Sequence, residues 1–232
     1  SGVQGVMICE KKEDMGKITH DDLYIDFATL SPEKVREKVR VGEVAITRSE
    51  YYENEDCVMM QCLDDRIGCM IIIDSILRDV KNTNDMYYVF TVQEENGCFG
   101  AQTSTFDLQP DLFVTFDVAS TGDELRGFRT DVKLGGGAGI KVMDHSVICH
   151  PEVVDALERC ARDKGIAVQR DILRVGGTDA GPIHVSRTGV RTGGISIPCR
   201  YVHTPAEIAD LNDCAACAEL AVAFARSQMT AI

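Results

Sequence analysis

The chain contains 232 residues, a length typical of one large domain or of one domain with a smaller attachment. Hydrophobic residues make up 44% of it and charged residues 26%, so it can bury a substantial core and is not intrinsically disordered. The net charge is −13, and no run of Lys or Arg exceeds two residues. Because such a chain repels polyanions on average, its composition argues against nucleic acid as a partner.

No membrane span or secretory signal is visible. The longest apolar runs, such as residues 220–225, are far shorter than the ~20 residues that a membrane helix requires. The ten cysteines are too sparse for a disulfide scaffold, and most lie in apolar segments. We therefore expect reduced thiols in a cytoplasmic protein. Cys214 and Cys217 form a lone C-x-x-C pattern, which we interpret as core residues rather than zinc ligands.

The first part of the chain is rich in short predicted strands. Apolar runs over residues 5–9, 22–27 and 43–47 are separated by polar turns. Between them, Ser31 and Pro32 have the pattern of a helix N-cap followed by the first helical position. We predict a small β-rich domain over residues 1–55.

From residue 56 onward, apolar strands alternate with helices. Such alternation is typical of an α/β sheet covered on both faces, and we predict this domain over residues 56–232. Predicted strands cover residues 58–63, 86–92, 113–118, 167–173 and 194–198. Predicted helices cover residues 67–80 and 151–163, and a third starts at the capping-box pattern of residues 204–207 and runs to about residue 228.

Two glycine-rich segments invite a phosphate-binding interpretation. Residues 134–139 lack the Lys-Ser/Thr pair that follows a P-loop, so we predict a flexible loop or tight turn instead. Residues 176–181 follow a predicted strand. They could approach a substrate closely or simply form a turn, and the sequence leaves both readings open.

Polar side chains follow several of the predicted strands at the points where those strands end. Each one alone would be an ordinary turn or cap residue, but ligands of open α/β sheets bind at this edge. Carboxylates that converge there repel one another unless a cation neutralises them. Three carboxylates and an imidazole suit zinc, cobalt or manganese, and a further carboxylate could act as a general base. The residues concerned are Asp64, Glu94, Glu95, Asp117 and His203.

Five motifs, in chain order, resemble those of the tetrahedral and glutamyl aminopeptidases, metallopeptidase family forty-two. The resemblance extends from about Leu23 to the end of the chain. The motifs are Leu63-Asp64-Asp65-Arg66-Ile67-Gly68; Val92-Gln93-Glu94-Glu95-Asn96-Gly97 with Gly100; Asp117-Val118 with Lys133-Leu134-Gly135; Gly176-Gly177-Thr178-Asp179-Ala180-Gly181; and Pro198-Cys199-Arg200-Tyr201-Val202-His203-Thr204-Pro205.

The resemblance implies a site for two divalent ions, zinc or cobalt. Asp64 would bridge the ions and would be joined to Asp65 by a cis peptide bond. Glu95 and His203 would complete one ion's ligands together with Asp64, while Asp117 would bind the second ion. The implied fold is a Zn-peptidase-like central sheet flanked by helices, with part of a small β-rich, PDZ-like inserted domain.

The resemblance also implies an activity, a catalytic residue and a mode of assembly. Glu94 would be the general base of a metal-dependent aminopeptidase that removes N-terminal residues from peptides through attack by metal-activated water. Family members form homo-oligomers, in which dimers build into tetrahedral dodecamers, and the β-rich domain takes part in that assembly.

The sequence departs from the family at one ligand. Family members carry an early His-x-Asp motif whose His binds the second ion, and the one His-x-Asp triplet in these 232 residues, His20-Asp21-Asp22, does not correspond to it. His20-Asp21-Asp22 lies where the family has a loop of the β-rich domain. We therefore expect the chain to begin partway through that domain, as a fragment, a partner-completed chain or a shortened protein. The ligands would be complete for one ion and incomplete for the other.

Two rival functions remain open at this point. A non-catalytic assembly subunit of the same fold would explain the missing His. Because of this alternative, the sequence leaves open whether these residues suffice for activity. An endoglucanase-type hydrolase could use a carboxylate pair, but it would leave His203 and the metal-type ligands unexplained, so it is the weaker alternative.

Overall fold

The structure is a computed structural model that describes residues 2–9, 15–29, 31–78, 80–81, 84–125, 127 and 129–227. It divides the chain into two compact units, Ser1–Thr47 and Arg48–Ile232. The sequence-based boundary lay after residue 55. Strand β3, Tyr52–Asn54, belongs to the larger unit because it pairs antiparallel with β4, Cys57–Met60.

The smaller unit contains an antiparallel strand pair and one short helix. Strand β1, Val6–Cys9, pairs with β2, Leu23–Asp26, and helix α1 covers Pro32–Arg36. Ser31 caps that helix as predicted, since its hydroxyl oxygen accepts the Lys34 N–H. The predicted strand over residues 43–47 is wrong, because this segment has no ladder partner among the described residues.

The larger unit is built on a mixed seven-stranded sheet. Its strand order is β3-β4-β9-β8-β6-β7, and β5 pairs parallel with β8 along its full length. Nearly all of β8 is buried, as expected for an interior strand that is covered on both faces. The remaining strands are β5 Leu112–Ser120, β6 Ala138–Met143, β7 Val168–Ile172, β8 Arg191–Arg200 and β9 Glu207–Asp210.

Helices pack against this sheet and close the core. Buried Ile71, Leu157 and Leu220, from three of the helices, join Ile140 and Ile195 of the sheet in one apolar cluster. A mixed central sheet flanked by helices confirms the predicted fold class. The helices are α2 Leu63–Leu77, α3 Phe99–Leu108, α4 Pro151–Lys164, α5 Ala180–His184 and α6 Leu211–Ala225.

The last helix begins later than its sequence pattern indicated. Residues 207–210 form strand β9, and α6 begins at Leu211. Its N-cap is Asp210, whose carboxylate accepts the backbone N–H groups of Asn212 and Asp213. The capping-box interpretation of Thr204 to Glu207 is therefore wrong. Its predicted end, residue 228, lies outside the described residues.

Residues 86–92 were predicted to form a strand, and the prediction is wrong for the chain as described. The segment is apolar but makes no strand ladder among the described residues. Residues 84–91 and residues 111–117, which include part of β5, both line a cavity of about 690 Å³. Strand character depends on a hydrogen-bonded neighbour, which the local sequence cannot supply.

The first glycine-rich segment is a turn held by an acidic side chain. The backbone N–H groups of Gly135 and Gly137 each donate to the Asp213 carboxylate at 2.7 Å. Gly137 has φ 87°, and a Cβ there would meet the Ala167 carbonyl oxygen at 2.2 Å. Because a carboxylate already occupies these donors, the loop has no role as a phosphate cradle.

Among the described residues, none of the helices is both long enough and apolar enough to cross a membrane. The ten cysteines are reduced thiols in the structure.

Candidate metal centre

The predicted site residues come from four separate places in the larger unit. Asp64 follows β4 in the first turn of α2, and a cis peptide bond joins it to Asp65. Glu94 and Glu95 lie in the loop before α3, Asp117 lies in β5, and His203 lies between β8 and β9.

The backbone around the site is unusual. His203 has φ 64°, and Gln93, which precedes the two glutamates, has φ 59°. Residues other than glycine rarely adopt this left-handed conformation, and such strain concentrates at functional sites. The two positions lie directly before the Glu94–Glu95 pair and at His203 itself.

The structure brings three of the predicted ligands together. His203 Nε2 lies 3.1 Å from Asp64 Oδ2 and 3.2 Å from Glu95 Oε2. The three ligand atoms all lie within 4.8 Å of one another. The three side chains are separated in sequence, and only the fold makes them neighbours.

The donor set and its spacing fit a divalent cation. Zinc takes carboxylate oxygen and imidazole nitrogen at about 2.0–2.2 Å, so two tetrahedral ligands of one ion lie about 3.4 Å apart. The observed separations of 3.1 and 3.2 Å are close to this value. Asp64, Glu95 and His203 could therefore hold one ion with little rearrangement.

Asp117 lies close to the same acidic cluster but does not join these three ligand atoms in the described part of the chain. It is buried, and its Oδ1 accepts the N–H of Val118 at 2.8 Å. Burial first, then the charges of Asp65, Asp64 and Glu94, raise the pKa of Asp117 well above its usual value. The carboxylate is thus within electrostatic reach of the centre.

The pKa values of Asp65 and Asp64 are raised as well. Burial, followed by the neighbouring carboxylates, raises the pKa of Asp65 to about 8, against the opposing hydrogen bond from the Gly68 N–H. Burial and then Glu95 raise the pKa of Asp64 to about 6. A cluster of carboxylates that suppress one another's ionisation is stabilised when a cation neutralises it.

Glu94 faces a different direction from Glu95. Its carboxylate lines the 690 Å³ cavity, whereas Glu95 points to His203. Burial first, then the charges of Asp179 and Glu95, raise the pKa of Glu94 to about 7. A half-buried carboxylate that is poised near neutrality, next to the ligand cluster but outside it, is suited to proton transfer.

Glu207 is a supporting residue that the sequence interpretation missed. Its carboxylate is 2% exposed, and its two oxygens accept the backbone N–H groups of Asp64 and His203 at 3.1 and 2.9 Å. One buried side chain therefore fixes the backbone of two ligand residues. The sequence pattern had suggested only a helix cap, and no local signal distinguishes the two roles.

Asp179, in the second glycine-rich segment, also belongs to the site region. It precedes α5, is 7% exposed and lines the same cavity as Glu94. Of the two readings of that segment, a close approach to the site is the one its position favours.

The chain resembles known aminopeptidases over most of its length. Residues 1–220 match the model of the M42 glutamyl aminopeptidase family. A protein of Acetivibrio thermocellus named "Putative aminopeptidase" is 42% identical over 214 residues, which cover 92% of this chain and 65% of that protein.

Solved structures show the same relationship. Aminopeptidase APDkam598 of the archaeon Desulfurococcus kamchatkensis matches with a TM-score of 0.91 and 34% identity, over 96% of this chain and 64% of that one. The TET1 peptidase of Pyrococcus horikoshii, described as able to assemble into a tetrahedron or a large octahedral shell, matches with a TM-score of 0.80 and 30% identity, over 89% and 62%.

This chain thus spans just under two thirds of the length of these relatives. The family implies the use of divalent metal, which the acidic cluster and His203 accommodate. The resemblance found in the sequence motifs is confirmed, and the chain belongs to the M42 glutamyl aminopeptidase family.

Proposed function

We propose that this chain carries the metal-binding and proton-transfer residues of an aminopeptidase that removes N-terminal residues from peptides. The observation that carries the proposal is the convergence of Asp64, Glu95 and His203 within 4.8 Å, with Glu94 beside them on the wall of a cavity. Family membership supports the same reaction class.

Asp64, Glu95 and His203 would hold one zinc or cobalt ion. Asp64 and Asp117 would contribute to a second, which therefore has fewer ligands from these residues. When bound, a divalent cation lowers the pKa of a water molecule and polarises the scissile carbonyl group. Glu207 would fix the positions of Asp64 and His203 for this role by accepting hydrogen bonds from their backbone N–H groups.

Glu94 would act as the general base. Its carboxylate accepts a proton from the attacking water and passes that proton to the leaving amine. The raised pKa of about 7 lets the same group give up the proton again near neutral pH. Glu95, its neighbour, is engaged with His203 and would not share this role.

The exposed side of the centre suits a peptide terminus. The His203 side chain is 66% exposed and that of Glu95 58% exposed, so the ligand cluster opens to solvent. The surrounding carboxylates and the net charge of −13 attract the positively charged α-ammonium group of a peptide. We further propose a cytoplasmic homo-oligomer, built from dimers and extending to a dodecamer.

The test combines an activity assay with metal analysis of the chain and three variants. The substrates are aminoacyl p-nitroanilides, and bound metal is measured by mass spectrometry after dialysis. Glu94→Gln should lose at least ~100-fold in turnover and keep its metal. Glu95→Gln should lose the metal itself. Glu152→Gln, an exposed carboxylate on α4, is the matched control and should change neither.

Loss of metal from Glu94→Gln would mean that the two glutamates have exchanged roles. A chain that binds metal tightly but releases no product would contradict the aminopeptidase proposal and favour the non-catalytic assembly subunit.

A further inference from the structure

A second group of donor atoms lies on the cavity side of Glu94. One ligand atom each of Glu94, Cys98 and Asp179 lies within 4.8 Å of the other two. The Cys98 thiol lies 3.6 Å from Glu94 Oε1. Cys98 and Asp179 have no part in the proposed metal centre, so this group has no role in the function argued above.

Asp179 supplies an independent sign that a ligand belongs here. Asp179 is buried, with only 7% of the residue exposed. Oδ2 accepts the Thr91 hydroxyl at 2.7 Å, and the Cys98 thiol interacts with the same carboxylate, but Oδ1 has no partner with hydrogen-bond geometry among the described residues. A buried carboxylate oxygen without a partner is costly and calls for an explanation, such as an ion.

The separation between Cys98 and Glu94 matches two ligands of a tetrahedral zinc-type ion, and Asp179 lies within reach of both. A thiolate ligand lies about 2.3 Å from zinc and a carboxylate oxygen about 2.1 Å, so at a tetrahedral angle they are about 3.6 Å apart. The Cys98 Sγ to Glu94 Oε1 distance is 3.6 Å. A sulfur donor selects thiophilic ions over magnesium or calcium.

We propose that Glu94, Cys98 and Asp179 form a separate binding site for a thiophilic divalent cation such as Zn²⁺, and that an ion bound there inhibits the enzyme by occupying Glu94. Binding releases the thiol proton of Cys98 to solvent, so that a thiolate and two carboxylates face the dication. The inhibitory consequence rests on the proposed role of Glu94 as general base, whereas the binding site does not.

The ion can reach this site through the cavity. Glu94, Asp179 and Thr91 all line the cavity of about 690 Å³, together with Cys69. Cys69 is a thiol of this cavity that lies outside the cluster of Glu94, Cys98 and Asp179, which makes it the control.

The binding test uses Cd²⁺, whose coordination by a thiolate produces an ultraviolet charge-transfer band. The unaltered chain should show this band and lose it when Zn²⁺ is added in competition. Cys98→Ser, which is nearly isosteric, should abolish the band, and Cys69→Ser should retain it. Asp179→Asn should weaken Cd²⁺ binding by at least the ~10-fold that loss of an outer-shell partner costs. Circular dichroism confirms that each variant is folded.

A second arm measures aminopeptidase activity as Zn²⁺ is raised beyond the level that gives maximal turnover. The unaltered enzyme should be inhibited, and Cys98→Ser should need at least ~10-fold more Zn²⁺ for the same fractional loss. Absence of the band in the unaltered chain, or its persistence in Cys98→Ser, would overturn the site. A band without zinc inhibition would leave the site standing and overturn its link to Glu94.

Discussion

His203 and Asp64 are held together twice, once through their side chains and once through their backbones. The His203 ring nitrogen lies 3.1 Å from the Asp64 carboxylate, and the N–H groups of both residues donate to the single buried carboxylate of Glu207. Groups that orient the ligands of a metal commonly matter almost as much as the ligands themselves. The relationship makes Glu207 a positioning residue for the candidate metal centre.

Glu207→Gln should weaken metal binding by about 10- to 100-fold without removing a ligand. The amide retains one acceptor oxygen, but its NH₂ group must then face a backbone N–H, which loses one of the two hydrogen bonds. Zn²⁺ affinity measured by calorimetry would check this. Glu219→Gln on α6, an exposed carboxylate paired with Arg78, is the control. Equal affinities for both variants would contradict the positioning role.

The metal-free chain should become less stable as pH rises. The pKa values of Asp64, Glu94 and Asp65 in the folded state are raised to about 6, 7 and 8, above their usual values near 4. The folded state therefore holds more protons than the unfolded state across this range. By linkage, stability is present at the acid end and is lost as pH rises through these values.

The free energy of unfolding in urea, measured with a chelator between about pH 5 and pH 9, should fall by an amount on the order of a few kcal/mol. Asp65→Asn should flatten the dependence, because it removes the group with the highest of the three values. Addition of Zn²⁺ at the alkaline end should restore stability. Stability that is flat or increases with pH would contradict the mutual repulsion inferred for the cluster.

The buried pair Lys141 and Asp171 should be essential for stability. Both side chains are fully buried, Lys141 Nζ lies 2.6 Å from Asp171 Oδ2, and the Ser196 hydroxyl donates to the same oxygen. Lys141→Met leaves an unpaired buried carboxylate and should cost about 3–5 kcal/mol in urea unfolding. Arg170→Met breaks the exposed Arg170–Glu158 pair and should cost less than about 1 kcal/mol. Similar losses from both variants would contradict this assignment.

Apolar side chains of residues 86–92 should drive self-association. Tyr87, Phe90 and Val92 are 61%, 47% and 68% exposed, and exposed large apolar side chains so close together in the chain favour an interaction site. The double variant Tyr87→Lys/Phe90→Glu should shift the chain toward monomer in light scattering after gel filtration. Ile172→Lys on β7, which is 43% exposed, should not. A monomeric unaltered chain would contradict the prediction.

What the sequence predicts well depends on local signals. Pro151 and Gly165 mark the ends of α4, which is observed at Pro151–Lys164, with Gly165 in the left-handed conformation. The ligand set Asp64, Glu95 and His203 came from the motifs that the chain shares with the family, since residues 86–92, which precede Glu95, form no strand ladder among the described residues. The ends of α4 need only residue types and chain order.

What the sequence missed depends on partners that lie far away in the chain. Residues 86–92 have the composition of a strand, but a strand forms only where another strand supplies hydrogen bonds. Glu207 has the spacing of a helix cap, yet its carboxylate bonds to Asp64, which lies far away in sequence. Cys98 acquires its proposed role only because the fold brings Asp179 close to it. Such relationships are tertiary and leave no local pattern.

We propose that Asp64, Glu95 and His203 hold a divalent cation and that Glu94 lies beside it without binding it. Anomalous diffraction at the zinc edge, from crystals of the chain prepared with one equivalent of Zn²⁺, tests it most directly. We predict one strong peak about 2.0–2.2 Å from side-chain atoms of Asp64, Glu95 and His203, with Glu94 outside coordinating distance. A principal peak elsewhere, or one that Glu94 coordinates in place of Glu95, would contradict it.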